Sequence, residues 1–383
     1  MRFPEFKGVW TLDEIENIVS NKSQKYVPSS NEHIADIELE NMMEGGGITY
    51  PLADSSMQKS TKNRFSSGNV LYGKLRPYLN KVWKANFDGV CSSEIWVLSS
   101  LNLDSDFLYS FCQTPYFKSL ANTTCGSKMP KADWDLISSS LIKFPEDEEQ
   151  KRIGNLMLKL DQKIENQRKT IEDYQKLFDG TLEKLLQTDE CFDEMSLESA
   201  IENHLIRTVK VNELKPFLGK LTYLSTSSII GSEIVSNEGL VSFLDRPSRA
   251  CMSPIPNSVW FAKMKDSIKV YLASSEDQNK YILSTGFYGI VSLSPRISSK
   301  WLMMLFLSKF FNDQKDKFSE GSSMSGIKDN QFSDIKIKVF KNIENQDKSV
   351  AFLKSLHEVM EINKLHLWSL QKLKKFLLNS LFI

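Results

Sequence analysis

Between Pro145 and Gln187, apolar side chains recur at Ile153, Met157, Leu160, Ile164, Ile171, Tyr174, Phe178 and Leu185 among charged and polar residues. The steps alternate between four and three, the heptad rhythm of a long helix whose narrow stripe needs a partner helix. Pro145 followed by Glu146, Asp147, Glu148 and Glu149 suits a helix start, where negative charge meets exposed N–H groups. The same rhythm returns near the end of the chain, at Phe352, Leu356, Met360, Leu367, Leu370, Leu377 and Leu381. Leu160 and Leu356, Ile164 and Met360, Ile171 and Leu367, Tyr174 and Leu370, and Leu185 and Leu381 are each 196 residues apart. The pattern predicts two copies of one helix and an internal duplication with a period near half the chain.

The stretches between the helices carry shorter signals. TLDEIENIVS predicts an opening helix, with Leu12, Ile15, Ile18 and Val19 on one face. NVLYGKL and KVWKANF alternate as strands, with Pro77 in the connection, and VCSSEIWVLSS reads as a buried strand. DFLYSFCQTPYFKSL predicts an amphipathic helix that stops before Asn122. The second half repeats this plan: MSLESAIENHLI, VWFAKMKDSIKVYL and WLMMLFLSKFFNDQ take the corresponding places. EGSSMSGIKDNQFSDIKIKVF mirrors CGSKMPKADWDLISSSLIKF, with Gly126 and Gly321, and Met129 and Met324, each 195 apart. The order is globule, helix, globule, helix. A last helix leaving the second globule must return along the first, which predicts an antiparallel pair and halves related by an approximate two-fold axis. From Ile153 to Gln187 such a helix runs roughly 52 Å at about 1.5 Å per residue. That length corresponds to about 15 base pairs at about 3.4 Å each.

Composition narrows the choice. The 383 residues, 41% of them hydrophobic, suffice for two ordinary cores. The 48 basic and 48 acidic residues cancel, so any polyanion site must come from local segregation of charge. From Ser55 to Phe87 there is no acid, while Lys59, Lys62, Arg64, Lys74, Arg76, Lys81 and Lys84 alternate with Tyr72, Tyr78 and Trp83. The second half offers Arg246, Arg249, Lys263, Lys265 and Lys269 against Asp266. Such intervals match a phosphate backbone, although a solvated lysine face has the same composition. Arg64, Arg76, Arg246 and Arg249 are the candidates for reading guanine, and the lysines for setting affinity. The five cysteines, Cys91, Cys112, Cys125, Cys191 and Cys251, lack CxxC spacing and read as reduced thiols of a cytoplasmic protein. No apolar run suggests a signal peptide or a membrane span.

Catalytic signatures are missing. There is no phosphate loop, no GxGxxG after a strand and no [ND]PP[YF]. Thr114-Pro115-Tyr116-Phe117 sits in helical context and reads as core packing, and Glu149-Gln150-Lys151 lacks the partner acids of a nuclease. Gly45-Gly46-Gly47 marks a turn or close approach, with phosphate binding as the weaker reading. His33, His204, His357 and His366 are scattered, and no metal site is expected. Gln167 and Asn363, 196 apart, interrupt the two seams. They can hydrogen-bond to fix register, or face solvent or a partner.

These features resemble the DNA-specificity subunit of type I restriction–modification systems. The most specific stretches are FSSGNVLYGKLRPYLNKVWKANFDGVCSSEIWVL, GSKMPKADWDLISSSLIKFP and EEQKRIGNLMLKLDQKIENQRKTIEDYQKL. PNSVWFAKMKDSIKVYL and YILSTGFYGIVSLSP resemble a different recognition-domain subtype. KNIENQDKSVAFL, at the start of the second spacer, departs from the pattern by lacking the proline and blurring the EQ pair. The resemblance implies an α+β chain of two mixed α/β target-recognition domains, 1–146 and 189–342, separated by spacer helices, 147–188 and 343–383. The helices would form an antiparallel coiled coil within a pseudo-two-fold repeat. It implies a non-catalytic subunit without cofactors of its own, reading a bipartite double-stranded DNA target. Two methyltransferase subunits would carry S-adenosylmethionine, and two motor-nuclease subunits would bring ATP and Mg. A coiled-coil adaptor that binds proteins only is the competing reading.

Overall fold

The computed structural model describes residues 2–123, 130–318 and 334–382. Cys125, Gly126, Met129, Gly321 and Met324, invoked above, lie outside the described residues. The chain is mixed α/β and forms two compact units, Met1–Lys169 with Lys364–Ile383, and Thr170–Asn363. Two long helices, Asp147–Leu186 and Ile343–Ser380, each contribute to both.

In the first unit, Thr11–Glu14 pairs antiparallel with Leu141–Phe144, immediately ahead of the central helix. A four-stranded sheet follows in the order Val19–Ser20, Ile95–Ser100, Val70–Gly73, Val82–Lys84. A five-stranded sheet has the order Lys25–Tyr26, Lys62–Phe65, Gly89–Cys91, Ala35–Ile37, Ala53–Asp54. The second unit repeats the framework. Phe192–Ser196 pairs with Lys336–Phe340, and a four-stranded sheet runs Ile206–Thr208, Phe287–Ser292, Ser258–Ala262, Val270–Leu272. A second four-stranded sheet has the order Leu240–Val241, Leu221–Leu224, Tyr281–Ser284, Ala250–Met252, and Ile229–Ile230 pairs with Glu233–Ile234. The two-stranded pair and the four-stranded sheet that follows it have matching strand orders in the two halves, which supports the duplication, while the other sheets differ.

Two local expectations change. The opening helix shrinks to Ile15–Ile18, because Thr11–Glu14 is claimed by the strand pair and Leu12 is left exposed. The helix expected over DFLYSFCQTPYFKSL is broken into Ser105–Phe111 and Pro115–Asn122. Pro115 cannot donate to the preceding turn and starts the second helix, with Thr114 accepting from the Phe117 N–H at 3.2 Å. Phe117 is buried, as the packing reading of Thr114-Pro115-Tyr116-Phe117 requires.

In the first unit, Ile153, Met157, Leu160 and Ile164 join one core with Leu377, Leu378 and Leu381 of the C-terminal helix. Lys374 bridges Asp161 at 2.5 Å. In the second unit, Phe178, Leu182 and Leu186 join a core with Val350, Leu353, Leu356 and Met360. Early residues of one helix thus meet late residues of the other, the antiparallel arrangement. Phe352 is 54% exposed and Leu353 takes the buried place. Leu182 and Leu186 are buried beyond the expected seam, because a helix of 3.6 residues per turn drifts from a strict 3.5 repeat.

The starts of both helices are tied to the N-caps of neighbouring helices by equivalent glutamines. Gln150 accepts the Asp104 N–H at 2.8 Å and donates to the Pro145 carbonyl at 2.9 Å. Gln346 accepts the Ser298 N–H at 2.8 Å and donates to the Pro295 carbonyl. Asp104 and Ser298 are themselves helix N-caps. Glu149 is fully buried against Arg2, with Nη2–Oε2 at 2.6 Å, so the acid of Glu149-Gln150-Lys151 is a structural anion. The second helix needs no proline: Asn342 Oδ1 accepts the Glu344 N–H at 2.8 Å. Gly154 lets the central helix pass close to the start of the helix Ser105–Phe111. A Cβ there would lie 2.7 Å from Asp106 Cβ and 2.9 Å from Phe107 N.

Candidate nucleic-acid interface

In the basic interval of the first half, Lys62, Arg64 and Lys84 lie in strands and Lys59, Lys74, Arg76 and Lys81 outside them, and its members meet different fates. Lys62 is 1% exposed and pairs with Asp36 at 2.8 Å and with Glu38. Burial raises the Asp36 carboxyl above its ordinary range, against the pull of Lys62. Lys62 is therefore a core ion, and its assignment to a DNA surface is corrected. Arg64 pairs with Glu32 at 3.2 Å and lies over the Tyr26 ring at 4.6 Å. It lines a cavity of 590 Å³ with Lys22, Asn69 and Asp88. Lys81 donates to the Leu39 carbonyl at 2.6 Å, and Lys84 pairs with Asp106.

Lys59 and Arg76 are exposed, and among the described residues neither pairs with a carboxylate. Arg76 has a φ of 50° and donates its N–H to the Pro130 carbonyl, so the left-handed turn that displays it is pinned by the chain beyond. Lys74 shares Glu94 with Lys131, at 3.6 and 3.4 Å. Burial lowers the Lys74 pKa, and the charges of Lys131 and Lys25 add to the effect. Lys25 and Lys131 thus join Lys74 in one cationic cluster that the sequence interval did not contain. Distance along the chain hid them. Only the strand pairing of Lys25 with Asn63 and the bridge of Leu75 to Lys131 bring them in.

In the second unit, Arg246 is half-buried, its guanidinium 4.2 Å above the Phe243 ring and bonded to the Phe243 carbonyl. Arg249 and Lys265 are exposed, and Lys263 approaches the Tyr288 ring at 5.7 Å. Lys269 donates to the Thr226 carbonyl at 2.6 Å.

The glycine triplet is a close-packing turn. The N–H groups of Gly45, Gly46 and Gly47 go to the carbonyls of Leu79, Met43 and Val82. All three are spent on backbone, which removes the phosphate reading. The turn borders a cavity of 1430 Å³ in the first unit, where Lys118, Lys374 and Lys375 also lie. Gln167 and Asn363 are half-buried, and Asn363 donates to the Val359 carbonyl of its own helix at 2.7 Å. No helix among the described residues is long and apolar enough to cross a membrane.

Comparison with known proteins agrees with this architecture. Residues 9–173 match the family model of the type I restriction modification DNA specificity domain. The type I restriction enzyme EcoDI specificity subunit of Escherichia coli is 28% identical over 154 residues, 39% of this chain and 34% of that protein. The match thus spans about a third of that relative's length. The crystal structure of the type I restriction–modification S subunit from M. genitalium superposes with a TM-score of 0.59 at 17% identity. It covers 100% of this chain and 99% of that one. A chain from work on complex assembly and conformational transition of a type I R-M system gives 0.55 at 12% identity, covering 98% and 97%. The match over residues 9–173 and the shared fold make the chain similar to type I restriction–modification specificity subunits.

Proposed function

We propose that the chain is the DNA-reading subunit of a type I restriction–modification enzyme and is non-catalytic by itself. Each recognition domain reads one half of a split duplex target, and the two spacer helices set the unread gap. The observation that carries this reading is the doubled framework, in which each half has a two-stranded pair and a four-stranded sheet of the same order and an exposed arginine outside the strands, Arg76 or Arg249. Lys59, Arg76, Arg249 and Lys265 contact phosphates or bases, with Lys25, Lys74 and Lys131 adding positive charge. Gln167 and Asn363 belong to the proposal as register-setting residues. Replacing both with leucine shifts the preferred gap or permits a second register.

The C-terminal helix supports the expected partners. Leu365 (66%), Trp368 (53%) and Phe376 (53%) are exposed along it, an apolar surface suited to an assembly partner. Two methyltransferase subunits dock on the helices and hold S-adenosylmethionine. Two motor-nuclease subunits bring ATP and Mg to the same complex, which works in the cytoplasm.

The test is selection from a randomised duplex pool by the pure chain with and without a methyltransferase partner. A split motif enriched with the partner supports the proposal. No enrichment favours a protein-only adaptor, and methyl transfer or cleavage by the pure chain alone overturns the non-catalytic assignment.

A further inference from the structure

In the second unit, two segments at one end of the small sheet carry the most exposed large apolar side chains of their region. Leu218 is 101% exposed and Leu244 is 96% exposed. Strand Leu221–Leu224 pairs antiparallel with Leu240–Val241, Leu221 standing opposite Val241. Past that last pair both segments bend out of the ladder, carrying Leu218 and Leu244 beyond the same end of the sheet. The segments stay together beyond the ladder, since the rings of Phe217 and Phe243 meet edge to face at 5.6 Å. Phe217 packs on the core beneath the same sheet. Gly219, with a φ of 80°, supplies the turn that presents Leu218.

The rim of this tip is cationic. Lys215 and Lys220 flank Leu218, and Arg246 and Arg249 follow Leu244, while Asp245 is the acid within the two segments. A protein interface needs roughly 800 Å² from each partner, far more than two leucine tips supply. A narrow apolar pair ringed by cations matches a different partner, a duplex whose base step admits an apolar wedge while lysine and arginine hold the flanking phosphates.

We infer that Leu218 and Leu244 form a wedge that enters and unstacks a base step of the second half-site, anchored by Lys220 and Arg249 on the adjacent phosphates. This rests on the DNA-reading function proposed above and adds how the second domain engages its half-site. It also gives the half-site a dependence on deformability, since pyrimidine–purine steps open most easily.

The test uses the full chain assembled with its methyltransferase partner and the duplex selected above. 2-Aminopurine is placed at successive positions through the second half-site. The wild-type assembly raises fluorescence at one step, and L218S/L244S shrinks that rise at least about threefold. The double variant also binds on the order of tenfold more weakly, with an unchanged salt slope. L218M/L244M restores both signals, and K220A/R249A lowers the salt slope by about one for each phosphate it no longer neutralises. Selection of a split target with no fluorescence rise at any position overturns the wedge and leaves the DNA-reading function standing. Unaltered binding and fluorescence in L218S/L244S, or loss of the methyltransferase partner instead of DNA, also overturns it. Failure of the wild-type assembly to select any duplex removes both proposals together.

Discussion

Gln346 stands in the second half where Gln150 stands in the first. Each buried amide accepts the N–H of a helix-capping residue and donates to a carbonyl just outside a helix. The bonds to Asp104 and Ser298 fasten each long helix to the start of a shorter helix beside it. Replacing either glutamine by leucine leaves a buried N–H and a carbonyl without partners and is expected to cost about 1–3 kcal/mol. Chemical denaturation of the single variants measures this, and a change well below that range would show the two hydrogen bonds to be dispensable.

The buried ion pair of the first domain gives a sharper expectation. In Lys62→Met the Asp36 carboxylate loses its partner in a fully buried place, which should cost roughly 3–5 kcal/mol. Adding Asp36→Leu should recover most of that loss, because two packed apolar groups replace the pair. A thermal melt of the three proteins distinguishes this from a surface role, for which Lys62→Met would leave the melting temperature unchanged.

Binding should separate Lys62 from its neighbours in the sequence. Alanine at Lys74 and Arg76 is expected to weaken duplex binding and reduce the slope of log affinity against log salt by about 0.9 for each phosphate left unneutralised. The assembled complex, titrated over a range of salt, supplies the measurement. An unchanged slope would remove both residues from the interface.

Thiol chemistry reports on the same core. Burial pushes the Cys91 thiol up to about 12, so at pH 8 almost none of it is thiolate in the folded chain. Alkylation under native conditions should spare Cys91 and should reach it on unfolding. Because the folded value lies above the ordinary 9.0, this group's contribution to stability is intact below pH 9 and is lost as pH rises toward 12. Rapid native labelling of Cys91 at pH 8 would contradict the burial.

Hydrophobic periodicity exposed the long helices and the duplication, because a helix face needs a partner wherever it lies and repeats its need every turn. It misplaced Phe352 for Leu353 because adjacent apolar residues differ by a rotation that only packing decides. The basic interval was harder. Its window lacks acids, yet Asp36 and Glu38 reach Lys62, Glu32 reaches Arg64, Glu94 reaches Lys74 and Asp106 reaches Lys84. Charge balance is a property of neighbours in space, and tertiary packing of strands, loops and a helix imports those acids from outside the interval. The second spacer illustrates the converse. Its sequence blurs the opening signature, yet Gln346 and the Asn342 cap preserve the physical function.

Gly154 bears on how such a protein can be rebuilt. A first domain transplanted from a relative must bring a turn that tolerates an approach in which a single added methyl carbon would sit 2.9 Å from the Phe107 nitrogen. Interchange of domains is thereby restricted to donors that keep the same capped bend at that seat, whatever the sequence of their outer loops.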